Sequence, residues 1–254
     1  MTDLAVLAAG FGAIPLASIL LYSFRAWIDA HREVVWGGFA GVIAFLGLSH
    51  GMAFVLEGKP FLFSGNDSAG AVLFLFTGLA IGGLIGWFLF EGPIIRTEPE
   101  RIVWATAAFL ALHSLGDGLV LGRDFVGVSI PVIRIDALTV SGTFVHRFVE
   151  GALLLVPAFA ARWSLRASFA LLFVPLVSIP AAFVPGVAFD AMGLAGSSAA
   201  TALSTFLAAT EASVALVLLV RGFLPIASAD RGSRWIVSVM IGFIGISVVH
   251  FLVE

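Results

Sequence analysis

Residues 102–122 read IVWATAAFLALHSLGDGLVLG, and residues 137–161 read ALTVSGTFVHRFVEGALLLVPAFAA. Each stretch can cross a hydrocarbon core, which takes about 20 apolar residues as a helix. Yet each carries, mid-way, a histidine and an acid four residues apart with glycine directly after. The first copy is His113, Asp117 and Gly118; the second is His146, Glu150 and Gly151. Ionisable groups at that depth are expensive, so a repeated pair points to a function that needs them.

The rest of the chain sets these two stretches in a membrane. Of 254 residues, 60% are hydrophobic and 11% charged, and the mean hydropathy is +1.11. Soluble domains carry about 25% charged residues. The net charge of −3 is small and scattered, which gives no footprint for a nucleic-acid partner. There is no cysteine, so disulfides and thiolate metal sites are excluded. No basic residue precedes the first apolar run, so the sequence predicts a retained helix there rather than a cleaved signal peptide.

Eight apolar stretches are long enough to span: 4–24, 34–56, 69–90, 102–122, 137–161, 167–189, 196–220 and 235–253. The first, second, third, sixth and eighth contain no Asp, Glu, Lys or Arg. Backbone groups in lipid must be satisfied internally, which favours helices, and the short alternating segments of a β-barrel are missing. The expectation is therefore an all-α membrane protein, one transporter-like domain over 1–254, with no soluble domain in its short connections. Three prolines, Pro175, Pro180 and Pro185, predict a bent or broken sixth span. Glycines such as Gly78, Gly82, Gly83 and Gly86 read as positions of close helix approach.

Basic residues give an orientation. Arg25, Arg32, Arg96, Arg101, Arg162, Arg166, Arg221, Arg231 and Arg234 follow spans one, three, five and seven. The other connections hold only Lys59, Arg123 and Arg134. The positive-inside rule then puts the odd connections in the cytoplasm and both termini outside.

Residues i and i+4 share a helix face, so His113 with Asp117, and His146 with Glu150, form two-toothed ligand sets. The two spans run in opposite directions, as in transporters built from inverted repeats with a midplane substrate site. Gly118 and Gly151 leave room for a neighbouring backbone beside each acid. A lone intramembrane histidine is as readily a helix-to-helix hydrogen bond; two repeated His/acid pairs are not. Imidazole suits zinc, iron, nickel and copper, and carboxylate also takes manganese. Magnesium and calcium prefer all-oxygen shells. Ligation needs neutral histidine and ionised acid, so affinity should fall as pH drops through the histidine range.

The motifs HSLGDG and HRFVEG resemble those of the ZIP family of metal-ion transporters. Its fourth and fifth helices carry the forms His-Asn-x-x-Asp/Glu-Gly and His-x-x-Pro-Glu-Gly. The resemblance implies eight helices with both ends outside and a homodimer. It also implies import of zinc, iron or manganese as transported substrate, with His113, Asp117, His146 and Glu150 as ligands. Three departures matter. Ser114 stands where the family often has asparagine, and Val149 replaces the proline before the glutamate. Arg147 takes the place of a second metal-binding residue. A guanidinium has no acceptor lone pair and cannot ligate a metal, so Arg147 is expected to repel a second cation or to pair with Glu150 or Asp117. The acid that some relatives carry on span six is missing, and residues 91–101 hold no histidine in place of the family's histidine-rich loop. One principal metal, with Arg147 as a tethered counter-charge, is the expectation.

Other residues are secondary. Glu211, the only charged side chain in span seven, reads as a carboxylate that receives the cation toward the cytoplasm, or as a helix-to-helix hydrogen bond to Ser or Thr. His50 reads as an entrance ligand or a backbone contact. His250 and His31 read as ordinary surface histidines, and Glu98 and Glu100 as solvated. An intramembrane zinc hydrolase would combine the same residue types around an activated water. Such enzymes commonly use three histidines near one membrane face, whereas these pairs lie near the midplane. A bis-histidine haem protein would have unusual acids one turn from each axial ligand.

Overall fold

The computed structural model describes the chain except residues 1, 51–67, 96, 128–136, 194–197, 230–231 and 254. At 2–11, 49–50, 68–71, 120–121, 123–127, 137–139, 189–190, 198–201 and 252–253 it describes the backbone alone. Among the described residues the regular structure is helical throughout, with no strand. Helix α1 runs Thr2–Ala30, and α2, Arg32–Phe45, continues as a π-helical turn over Leu46–His50. Then come α3 (Ser68–Glu91), α4 (Glu98–Gly127) and α5 (Ala137–Ala160). The sixth span is α6 (Leu165–Leu171) followed by α7 (Phe173–Ala191). The seventh is α8 (Ser198–Leu218), a second π turn over Leu219–Phe223, and the short α9 (Leu224–Ala227). Helix α10 covers Arg234–Val253.

Six of these rods are long and apolar enough to cross a membrane, the bundle that a multi-pass membrane protein requires. They coincide with expected spans three to eight. Expected span one lies within α1, and of span two the described part is helical while 51–56 fall outside the described residues. Helices α1 and α4 overrun their expected spans, because Arg25, Asp29 and Glu98 sit in exposed end turns. Acids in the first turn of α4 also suit the positive end of its dipole.

The sixth span is interrupted where proline chemistry requires it. Pro175 has no N–H for the Leu171 carbonyl, and its ring crowds that carbonyl; α6 ends at Leu171 and α7 starts at Phe173. Ser164 caps α6 by accepting from the Ala167 N–H at 3.2 Å.

Packing is strongly pairwise. Helix α1 lies on α5, α4 on α7, α2 on α10, and α3 on α8. Lipid tails are as apolar as leucine, so membrane helices associate through close packing, which small residues permit. Each pair here has such residues. A Cβ on Gly118 would strike the Ile179 carbonyl of α7, and one on Gly41 the Val239 carbonyl of α10. On α3, a Cβ on Gly78, Gly82 or Gly86 would strike Phe206, Thr210 or Val217 of α8, whereas one on Gly83 would meet only Ser213 Oγ at an ordinary 3.5 Å. Gly151 sits where a Cβ would lie 3.0 Å from the Ile14 carbonyl of α1. The four pairs are joined to one another where α4 contacts α5 and α8, and where α5 contacts α10. Trp36, Phe109, Leu110, Leu153, Leu154 and Phe223 fill the interior. By contrast α3 and α10 turn Leu73, Phe76, Leu84, Ile241 and Phe251 outward.

Gly116 and Gly118 share one motif but differ in surroundings, since a Cβ on Gly116 would meet nothing within 4 Å. Gly118→Ala is expected to cost about 1–3 kcal/mol by overpacking. Gly116→Ala is expected to be neutral, or to gain up to about 1 kcal/mol of helix propensity. Thermal unfolding of the two variants in detergent checks this, and equal melting temperatures would remove close packing as the role of Gly118.

Candidate metal centre

The core of the site is built by α4 and α5. One turn separates His113 from Asp117 on α4, and one turn separates His146 from Glu150 on α5, so all four side chains face the seam between the helices. Gly118 lets α7 close in directly beside Asp117, and Gly151 lets α1 close in beside Glu150. Each acid thus has a closely packed helix beside the glycine that follows it, as expected from the two motif glycines.

His113, Asp117, His146 and Glu150 each offer a ligand atom within 4.8 Å of all the others, a set that could hold a metal ion. His113 Nε2 is 3.4 Å from His146 Nε2 and 3.4 Å from Glu150 Oε1, and His146 Nε2 is 3.1 Å from the same oxygen. Asp117 Oδ2 lies 3.9 Å from His113 Nε2. For bonds of about 2.0–2.1 Å to zinc, the donors of a tetrahedral site stand about 3.3–3.4 Å apart. The three closest donors therefore already have nearly the spacing of one tetrahedral face. His113, His146 and Glu150 are buried, and Asp117 is the most open of the four. The imidazoles lie nearly parallel, 17° between planes with centroids 5.6 Å apart, and Phe109 stacks on His113 with centroids 6.1 Å apart.

Arg147 reaches into the same seam. Its guanidinium donates to both Glu150 oxygens at 2.8 Å and to Asp117 Oδ2 at 2.9 Å. Sequence reasoning expected one acid or the other; the arginine bridges both. A buried guanidinium needs such partners, because an unpaired charge in a low-dielectric interior is costly.

The remaining residues divide. Glu211 is buried on α8, and its Oε1 lies 3.0 Å from His113 Nδ1. It thus joins the site directly, with a histidine rather than the Ser or Thr partner considered from sequence. Ser114 is fully buried, and its hydroxyl finds no protein partner among the described residues. The backbone of His50 lies in the first π turn, and its side chain falls outside the described residues. His31 is exposed, stacks on Trp27 and bonds its carbonyl at 2.9 Å, as an ordinary surface histidine does. Glu98 is exposed as expected, while Glu100 is half-buried.

His250 corrects the sequence reading. It is not a plain surface residue: α10 packs on α5 and α2, so its ring stands 6.1 Å from the His146 ring and 5.5 Å from Phe45. The available signal was a histidine inside a span that has no Asp, Glu, Lys or Arg. Its nearness to the chain end obscured it.

Comparison with models of known protein families and with curated proteins yields no match for this sequence.

Proposed function

We propose that this chain carries a divalent transition-metal cation across a membrane, one ion at a time, through the His/carboxylate site between α4 and α5. The observation that carries this reading is the triangle of His113, His146 and Glu150, whose edges of 3.1–3.4 Å suit a tetrahedral cation. Two imidazoles favour zinc, with iron or manganese as further cargo, over magnesium or calcium. Arg147 occupies both Glu150 oxygens and Asp117 Oδ2, so a permanent cation already stands where a second metal would sit, which supports one ion rather than an adjacent pair.

The helix pairs support a repeat of inverted topology. Exchange span one with six, two with seven, three with eight and four with five. The four packed pairs are then carried onto one another, and the exchanged spans of the outer repeats lie five apart in the chain, an odd number that reverses direction. The π turns fall on spans two and seven, which exchange with each other; such turns are frequent at functional sites. This pairing supports reading the bundle as a ZIP-like transporter. On that reading the protein imports its cargo into the cytoplasm, keeps both termini outside, and works as a homodimer in the bilayer.

Proteoliposomes with indicators for zinc, iron(II), manganese and cadmium test the proposal. Wild type is expected to admit zinc, with His146→Ala at the level of protein-free vesicles. Absence of flux for all four ions, or equal flux in the variant, defeats the reading. Metal-dependent turnover of a lipid or peptide without flux favours a zinc-dependent intramembrane hydrolase instead.

A further inference from the structure

Glu211 and His113 are both buried and come from different helices, α8 and α4, joined by one contact of 3.0 Å between Oε1 and Nδ1. The other nitrogen of His113 faces the opposite way, toward His146 and Glu150. A neutral imidazole has one donor and one acceptor nitrogen, and an ionised carboxylate only accepts. With Nδ1 donating to Glu211, Nε2 is the nitrogen left on the side of His146 and Glu150, where a bound cation would take its lone pair in place of a proton.

We propose that Glu211 is the positioning residue of this site, holding His113 as its Nδ1–H tautomer so that Nε2 is presented to the cargo. The inference rests on the reading of the cluster as the cargo site. It gives Glu211 a role distinct from a waypoint that binds the ion after release. A carboxylate behind a ligating histidine fixes the ring and its tautomer and strengthens the ligand, and its loss commonly lowers metal affinity 10–100-fold. The carboxylate comes from a helix outside the α4–α5 seam, so the presentation of His113 depends on how α8 packs on α4.

The test uses the full-length protein in micelles, with two readouts. The first is the side-chain ¹⁵N spectrum of the five histidines, with the His113 signals assigned by their loss in His113→Ala. The second is zinc affinity, measured by competition with a fluorescent chelator. Wild type is expected to show His113 protonated at Nδ1. Glu211→Gln, whose amide oxygen still accepts, should keep that form and most of the affinity. Glu211→Ala should move the ring toward the Nε2–H form that an unconstrained imidazole favours and weaken zinc about 10–100-fold. An Nε2–H ring in wild type, or an unchanged ring in Glu211→Ala, overturns the proposal. Equal zinc loss in the Gln and Ala variants makes Glu211 a direct ligand and overturns it as well. A wild type that binds no zinc defeats the transport reading instead, and the spectra still decide whether Glu211 sets the ring.

Discussion

Glu150→Ala is expected to reduce zinc uptake by proteoliposomes about 100-fold or more, to the level of protein-free vesicles. Loss of an outer-shell partner alone costs about 10–100-fold, and Glu150 stands closer than that. Its Oε1 lies within 3.4 Å of both histidines and 2.8 Å from the Arg147 guanidinium. The same substitution strands part of Arg147. Removing one partner of a buried ion pair costs about 3–5 kcal/mol, and the lower end applies here because Asp117 still holds one guanidinium nitrogen. Thermal unfolding in detergent measures that cost. The double variant Glu150→Ala/Arg147→Ala separates the two effects: it should recover part of the lost stability and none of the uptake. Wild-type uptake in Glu150→Ala would falsify the ligand assignment.

Arg147→Met should produce the opposite kind of protein, one that depends on its cargo for stability. Methionine keeps an unbranched side chain in the seam but leaves Asp117 and Glu150 facing each other without their shared cation. The metal-free variant is expected to melt well below wild type, by the equivalent of about 3–5 kcal/mol. Zinc at about 100 times its dissociation constant should return about 2.7 kcal/mol. Wild type should gain less at the same zinc concentration, since there the ion has to displace a guanidinium from both carboxylates. A unit charge about 4 Å away is worth about 4 kcal/mol at an effective dielectric of 20. A tenfold rise in zinc affinity, about 1.4 kcal/mol, is therefore a conservative expectation. Unchanged or weaker affinity would make Arg147 a scaffold for the acids rather than a competitor of the cargo.

Both predictions start from features visible in the linear chain. His113 with Asp117 and His146 with Glu150 sit one turn apart, so each pair shares a face before any tertiary contact is known. Arg147 is next to His146 and three positions before Glu150, close enough on a helix for the pair to be foreseen. The broken sixth span was equally legible, because a proline removes its own N–H wherever the helix lies. These are short-range consequences of backbone geometry.

Glu211 and His250 show where such reading stops. Nothing local to either residue names a partner. Glu211 is 98 residues from His113, and the two meet because α8 lies on α4. His250 reaches His146 because α10 packs on both α2 and α5. Which helices pair was decided by surfaces of small residues such as Gly41, Gly82 and Gly118, whose complementary backbones lie far away in sequence.

The sequence by itself therefore determined a helical membrane bundle and the residue types of its central cluster. Lipid demands long apolar helices whatever their order, and the helical repeat puts a residue beside the one four positions on. Only the tertiary structure decided that Arg147 bridges both acids, that Glu211 backs His113 and that His250 stands beside His146. Those contacts depend on which helix faces fit together within ångströms, and that fit is a property of two distant segments at once.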